Sequence, residues 1–126
     1  MTDYKSINKQ LKNKFMNREK IFGGWISFSH PSICETFINA GFDFIAIDME
    51  HTTISFNEAQ RIIAASQSGG IPCLPRPVSH SNDWYKPLLD SGADGFFITT
   101  VNTEKDIKNI INNIKYPPIG KRSYGL

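Results

Sequence analysis

Apolar positions change their spacing along this chain in a repeating order, at helical intervals and then in short continuous runs. Ile7, Leu11 and Phe15 recur every four residues, which predicts a leading amphipathic helix over 7–16. A first strand is expected within 21–29, best over 22–27, although Gly23 and Gly24 weaken its start. Pro31 opens a helix running to Ala40, with Ile33, Phe37 and Ile38 inward and Gly41 at its end. Phe44, Ile45, Ala46 and Ile47 read as a buried second strand. Ser55 and Glu58 have the spacing of a capping box and start a helix that reaches Ser68 before Gly69 and Gly70. A third strand over 71–76 carries Pro72 and Pro75, awkward in a central strand because each removes a ladder donor. A short helix follows over 83–90, and 95–99 reads as a fourth strand. The clearest helix is 103–114, where Ile107, Ile110, Ile111 and Ile114 fall at i, i+3, i+4 and i+7.

Alternating strands and helices imply an α/β fold with a mainly parallel sheet. Two completions fit this order. A flavodoxin-like open sheet closes within an ordinary domain length. A (β/α)8 barrel takes about 250 residues, so this chain would form its first half. Periodicity does not choose between them. The chain has neither a Gly-rich dinucleotide fingerprint nor a phosphate-binding P-loop, which lowers the odds of a nucleotide-binding open sheet.

At 126 residues the chain holds one modest domain, and its formal net charge of +2 gives no electrostatic case for nucleic acid or an anionic membrane. No apolar run has the length of a membrane span, and the lysine-rich first twenty residues lack the apolar block of a secretory signal. A cytoplasmic protein is expected. Cys34 and Cys73 each stand alone in apolar surroundings, the setting of buried free thiols.

Chemistry concentrates where the second strand ends. Asp48, Glu50 and His51 follow directly on the Phe44–Ile47 run, and Arg76 closes the third strand. In parallel α/β proteins the C-terminal strand ends converge on one mouth, where ligands bind. A polar strand exit is the plainer alternative for the first group, and a salt-bridged rim arginine for the second. Trp25 by itself reads as a core residue. His30 and His80 match no motif and read as loop residues.

Six segments in order carry a resemblance. They are Gly24-Trp25, Ala40-Gly41-Phe42-Asp43-Phe44, Ile47-Asp48-Met49-Glu50-His51, Pro75-Arg76-Pro77, Leu88-Leu89-Asp90-Ser91-Gly92-Ala93 and the stretch from Lys115 to Arg122. Together they resemble the HpcH/HpaI aldolase family, which includes 4-hydroxy-2-oxoheptanedioate and 2-dehydro-3-deoxyglucarate aldolases. The resemblance implies the first half of a TIM (β/α)8 barrel of the phosphoenolpyruvate/pyruvate type, with a leading helix in 1–20 and about four barrel strands in 21–126.

It also implies a metal-dependent class II aldolase that cleaves 4-hydroxy-2-oxo acids to pyruvate and an aldehyde. By the resemblance, His51 is the catalytic base, a role suited to imidazole, which titrates near neutral pH. Asp90 is its carboxylate partner, Arg76 binds the pyruvate oxygens, Trp25 lines the pocket, and Asp48 and Glu50 accept from metal-bound water. Mg2+, Mn2+ or Co2+ is the expected ion. The family's metal ligands, a glutamate and an aspartate, lie beyond the Tyr116-Pro117-Pro118 segment, so no metal ligand is expected within this chain. Thr99 stands where the family usually has proline, and Ser123 where it has glycine. An incomplete, inactive chain of a homo-oligomeric enzyme is the leading expectation. A non-catalytic half-barrel assembly module and an open-sheet binding domain are the alternatives.

Overall fold

The computed structural model describes residues 4–125. Its elements are α1 (Tyr4–Met16), β1 (Gly23–Ile26), α2 (Pro31–Asn39), β2 (Phe44–Asp48), α3 (Phe56–Ser68), β3 (Cys73–Arg76), α4 (Asn82–Asp90) and α5 (Glu104–Ile114). Of the leading segment expected over 1–20, residues 1–3 lie outside the described part.

Helix boundaries follow local chemistry. Ser55 and Glu58 form the predicted capping box, the Ser55 N–H donating to Glu58 Oε2 at 2.7 Å and the Glu58 N–H to Ser55 Oγ at 3.3 Å. Thr103 and Asp106 build a second one at the start of α5. His30 caps α2, its Nδ1 accepting from the Ser32 N–H at 3.2 Å, and Pro31 occupies the first helical turn, where a missing N–H costs nothing.

The three strands are parallel and lie in the order β1-β2-β3. Side chains alternate across β2. Ile45 and Ile47 join Ile26, Cys73, Ile62, Ile63 and Leu88 in the main core between the sheet and its helices, while Phe44 and Ala46 meet Leu11 of α1 on the opposite face. Both cysteines are free and buried as expected; burial pushes the Cys34 thiol up to about 11 and Cys73 well above its ordinary value.

One carboxylate anchors α1 at the N-terminal edge. Asp43 takes Lys14 Nζ at 2.6 Å on one oxygen and the Phe22 N–H at 2.8 Å on the other, and these bonds, the Lys14 one first, hold its carboxyl below the usual range.

The predicted fourth strand does not form. The chain passes beside β3, and the Asp94 and Phe97 N–H groups each donate at 3.0 Å, to the Cys73 and Pro75 carbonyls, but no ladder follows. Alternate residues of a strand turn their backbone groups to opposite neighbours. The Cys73 N–H faces this segment, and it goes to Asp94 Oδ2 at 2.8 Å. The next groups turned the same way belong to Pro75 and Pro77, which have no N–H to return. The edge of β3 can accept but hardly donate.

The α5 stripe is only partly used. Ile110 is buried, whereas Ile107 is 48% and Ile111 38% exposed, because α4 is the element packed on that helix and it covers a narrower band than the pattern offers. Chemical denaturation should separate the two environments. Ile63→Ala, in the main core, is expected to lose about 3 kcal/mol, and Ile107→Ala under ~1 kcal/mol. Equal losses would mean that the outer face of α5 is covered in solution.

Candidate active site

The parallel register sets Asp48 of β2 directly opposite Arg76 of β3 at the C-terminal edge of the sheet. Paired residues of neighbouring strands point to the same face, so the two side chains meet. Arg76 Nη2 lies 2.8 Å from Asp48 Oδ2 and Nε 3.2 Å from Oδ1. This two-toothed contact matches the fork of a guanidinium to a carboxylate.

The same carboxylate shapes the loop that follows. Oδ1 accepts the backbone N–H groups of Glu50 and His51, each at 3.1 Å, and Thr52 Oγ1 donates to the Asp48 carbonyl. Burial, the largest influence, would raise the Asp48 carboxyl. The His51 N–H, the Arg76 guanidinium and the Glu50 N–H together outweigh it and hold the group below its usual range.

Glu50 completes the cluster. Its Oε2 stands 3.3 Å from Arg76 Nε and 3.9 Å from His51 Nε2, and its Oε1 accepts from Thr99 Oγ1 at 3.1 Å. The Arg76 guanidinium carbon sits 4.8 Å from the centre of the Trp25 ring, in cation–π range. Trp25, expected in the core on composition alone, is 42% exposed and forms one wall of this edge. None of these hydrogen bonds or ion pairs uses Arg76 Nη1, so donors remain for an incoming oxyanion. The His51 side chain is 73% exposed beside them.

Four of the six expected residues (Asp48, Glu50, His51 and Arg76) thus share one edge, with Trp25 beside them. Asp90 does not join them. It is the last residue of α4, and the chain just beyond it bonds to the start of β3 through the Asp94 N–H. Asp90 therefore lies by the N-terminal edge of the sheet, opposite His51, and its carboxylate takes Arg122 Nη2 at 3.2 Å. A crossover helix runs antiparallel to the strand before it, which returns its C-terminal residue to the far side. The assumed His51–Asp90 pair is not made within this chain; the carboxylate beside the ring is Glu50.

Three of the Asp48 carboxylate's four bonds fall on Oδ1 and one on Oδ2, so Oδ2 keeps a lone pair for a further donor. Among the described residues no group of three His, Cys, Asp or Glu side chains is placed to hold a metal ion. Divalent ions such as Mg2+ and Mn2+ take several oxygen ligands, so these residues do not fit such an ion by themselves. Thr99 was missed as a site residue, although the strand-end rule that singled out Asp48 and Arg76 applies to its position too.

The profile of the family described as HpcH/HpaI aldolase/citrate lyase matches residues 22–125. The chain belongs to the HpcH/HpaI aldolase/citrate lyase family. Over 117 residues it is 31% identical to a hydroxypyruvate/pyruvate aldolase of Roseobacter denitrificans, covering 91% of this chain and 45% of that one. A 2-keto-3-deoxy-L-rhamnonate aldolase of Escherichia coli is 28% identical over 123 residues, covering 94% and 46%. The crystal structure of an HpcH/HpaI aldolase from Desulfitobacterium hafniense superposes with a TM-score of 0.84 at 28% identity, covering 91% and 45%. The chain spans about half the length of these HpcH/HpaI relatives.

The acid limb of stability tests the central ion pair. A carboxyl held low contributes stability that is complete above its unfolded value, near 3.9, and is lost as pH falls through the lower folded value. Urea unfolding followed downward from about pH 6 should show a loss beginning near pH 4. Asp48→Asn should lose less across that window, although Asp43 still titrates there. Identical pH slopes in the two proteins would show that Asp48 is not held low.

Proposed function

We propose that the protein is a carbon–carbon lyase that cleaves 4-hydroxy-2-oxo acids to pyruvate and an aldehyde, and that this chain forms the first four units of its (β/α)8 barrel. The observation that supports this most is the strand-end cluster: a guanidinium held by Asp48 against Trp25, with His51 one loop turn away, in a chain of the HpcH/HpaI family.

Arg76 binds the oxygens of the 2-oxo acid through its remaining donors. Asp48 fixes the plane of its guanidinium before substrate arrives, so the donors need no reorganisation as negative charge builds on the enolate oxygen. The exposed His51 ring takes the proton from the 4-hydroxyl. The electrons of that O–H bond form the aldehyde C=O, the C3–C4 bond breaks, and its electrons pass into the enolate of pyruvate. The proton then returns to C3. Glu50 Oε2 stands near both Arg76 Nε and His51 Nε2.

Counting Asp48, Glu50 and Arg76, the cluster carries one more carboxylate than cation. That excess opposes an anionic substrate and suits a divalent ion, Mg2+, Mn2+ or Co2+, whose ligands come from outside this chain. We accordingly propose that the chain alone is inactive. The complete enzyme is read as a cytoplasmic homo-oligomer acting on small molecules, with no nucleic-acid or membrane partner. No helix among the described residues is long and apolar enough to cross a membrane.

Pyruvate release from a 4-hydroxy-2-oxo acid is the test, with the chain alone and with the chain fused to the remaining barrel of the Desulfitobacterium hafniense aldolase. With Mg2+, Mn2+ or Co2+ the fusion is expected to turn over and the chain alone is not. His51→Ala should slow the fusion about 10²–10⁴-fold. Turnover by the chain alone would remove the inactive reading, and a fusion indifferent to His51→Ala would remove the base.

A further inference from the structure

Thr99 reaches into the strand-end cluster from the segment beside β3. Its hydroxyl donates to Glu50 Oε1 at 3.1 Å, while the other carboxylate oxygen, Oε2, faces Arg76 Nε at 3.3 Å. One side chain is thereby held at both of its oxygens. We infer that Thr99 is a positioning residue for the anchor of the 2-oxo acid. Its hydroxyl keeps Glu50 on the Nε edge of Arg76 and off Nη1, which stays open to substrate. The inference rests on the lyase reading for the identity of the substrate, but not for the geometry.

Arg76 faces two carboxylates, and they are held very differently. Asp48 grips the guanidinium at two points, Nη2 at 2.8 Å and Nε at 3.2 Å. Glu50 has no such fork: it meets Nε alone, the donor that Asp48 Oδ1 already uses. A glutamate side chain keeps much rotational freedom unless bonds fix it. Released, it would swing between Nε and the unused donors of Nη1. There it would compete with an incoming carboxylate or enolate oxygen for the same charge. A hydrogen bond to an ionised acceptor is about twice as strong as a neutral one, which suits the Thr99 hydroxyl to this restraint.

Thr99 can hold Glu50 because its own backbone is pinned. Its carbonyl lies 2.7 Å from His80 Nε2. A carbonyl only accepts, so the ring nitrogen donates. Two residues earlier the Phe97 N–H donates to the Pro75 carbonyl at 3.0 Å. The chain then turns away at Thr100, whose φ of +58° is a left-handed value that a β-branched residue rarely takes. Such a conformation persists where the surrounding bonds over-determine it. These anchors use backbone groups of the segment, so the Thr99 hydroxyl can be removed without releasing them.

Thr99→Val removes the donor and keeps the branched shape, whereas Thr99→Ser keeps the donor. In the labelled chain, 13Cγ relaxation of Glu50 reads the restraint directly. Glu50 should be as ordered in Thr99→Ser as in the unchanged protein, and mobile in Thr99→Val. The His80 ring and Phe97 amide signals should stay in place in both. In the fusion with the remaining barrel, Thr99→Val should raise KM for the 2-oxo acid about tenfold, the scale of one charged hydrogen bond. There kcat should be nearly unchanged, and Thr99→Ser should keep the original KM. If Thr99→Val does not fold, Thr99→Ala is read in the same way. Glu50 equally ordered without the hydroxyl would overturn the inference whether or not the fusion turns over; an inactive fusion counts against the lyase reading alone. A loss in kcat with KM unmoved would overturn the reservation of Nη1.

Discussion

The bond between Asp48 and Arg76 organises this edge of the molecule. It needs the parallel register that puts the two residues opposite each other, and that register is held by the buried run from Ile45 to Ile47 packed on α3. One carboxylate then does two jobs: it aims the guanidinium, and it gathers the Glu50 and His51 N–H groups so that the loop turns back over the strand ends. Without it, Arg76 would lose its orientation and His51 its position together.

As a stabilising device such a pair is a poor choice. Taking two charges out of water costs about as much as their attraction returns, and apolar replacements often fold as well. Its geometry is what an apolar pair cannot supply. The guanidinium lies against Trp25 with one side bonded and the other left for an anion. The constraint is visible in the charge count, since the cluster is left with a net negative charge that a bound cation would reverse.

Much of this was readable from residue order. The capping box at Ser55, the core run of β2 and the convergence of Asp48, His51 and Arg76 on one edge all follow from local pattern plus the rule for parallel strands. What failed, failed through long-range geometry. The segment after Gly95 has the apolar run of a strand, but whether it pairs depends on which β3 donors face it, and these fall on Pro75 and Pro77. Asp90 is separated from His51 by the return path of α4, which a motif comparison does not trace. The His80–Thr99 bond joins two loops that have no shared pattern in the sequence at all.

The proposed function depends on Arg76 as the anchor of a 2-oxo acid. Trp25 lies against its guanidinium and reports on it directly. Replacing the other tryptophan, Trp84, by phenylalanine would leave Trp25 as the sole indole. In the fusion with the completing barrel, whose own tryptophans are likewise replaced, its fluorescence, titrated with pyruvate in the presence of Mg2+, should change saturably and not when Arg76→Met is added. A saturable change that survives Arg76→Met, or its absence while Arg76 is present, would contradict the account.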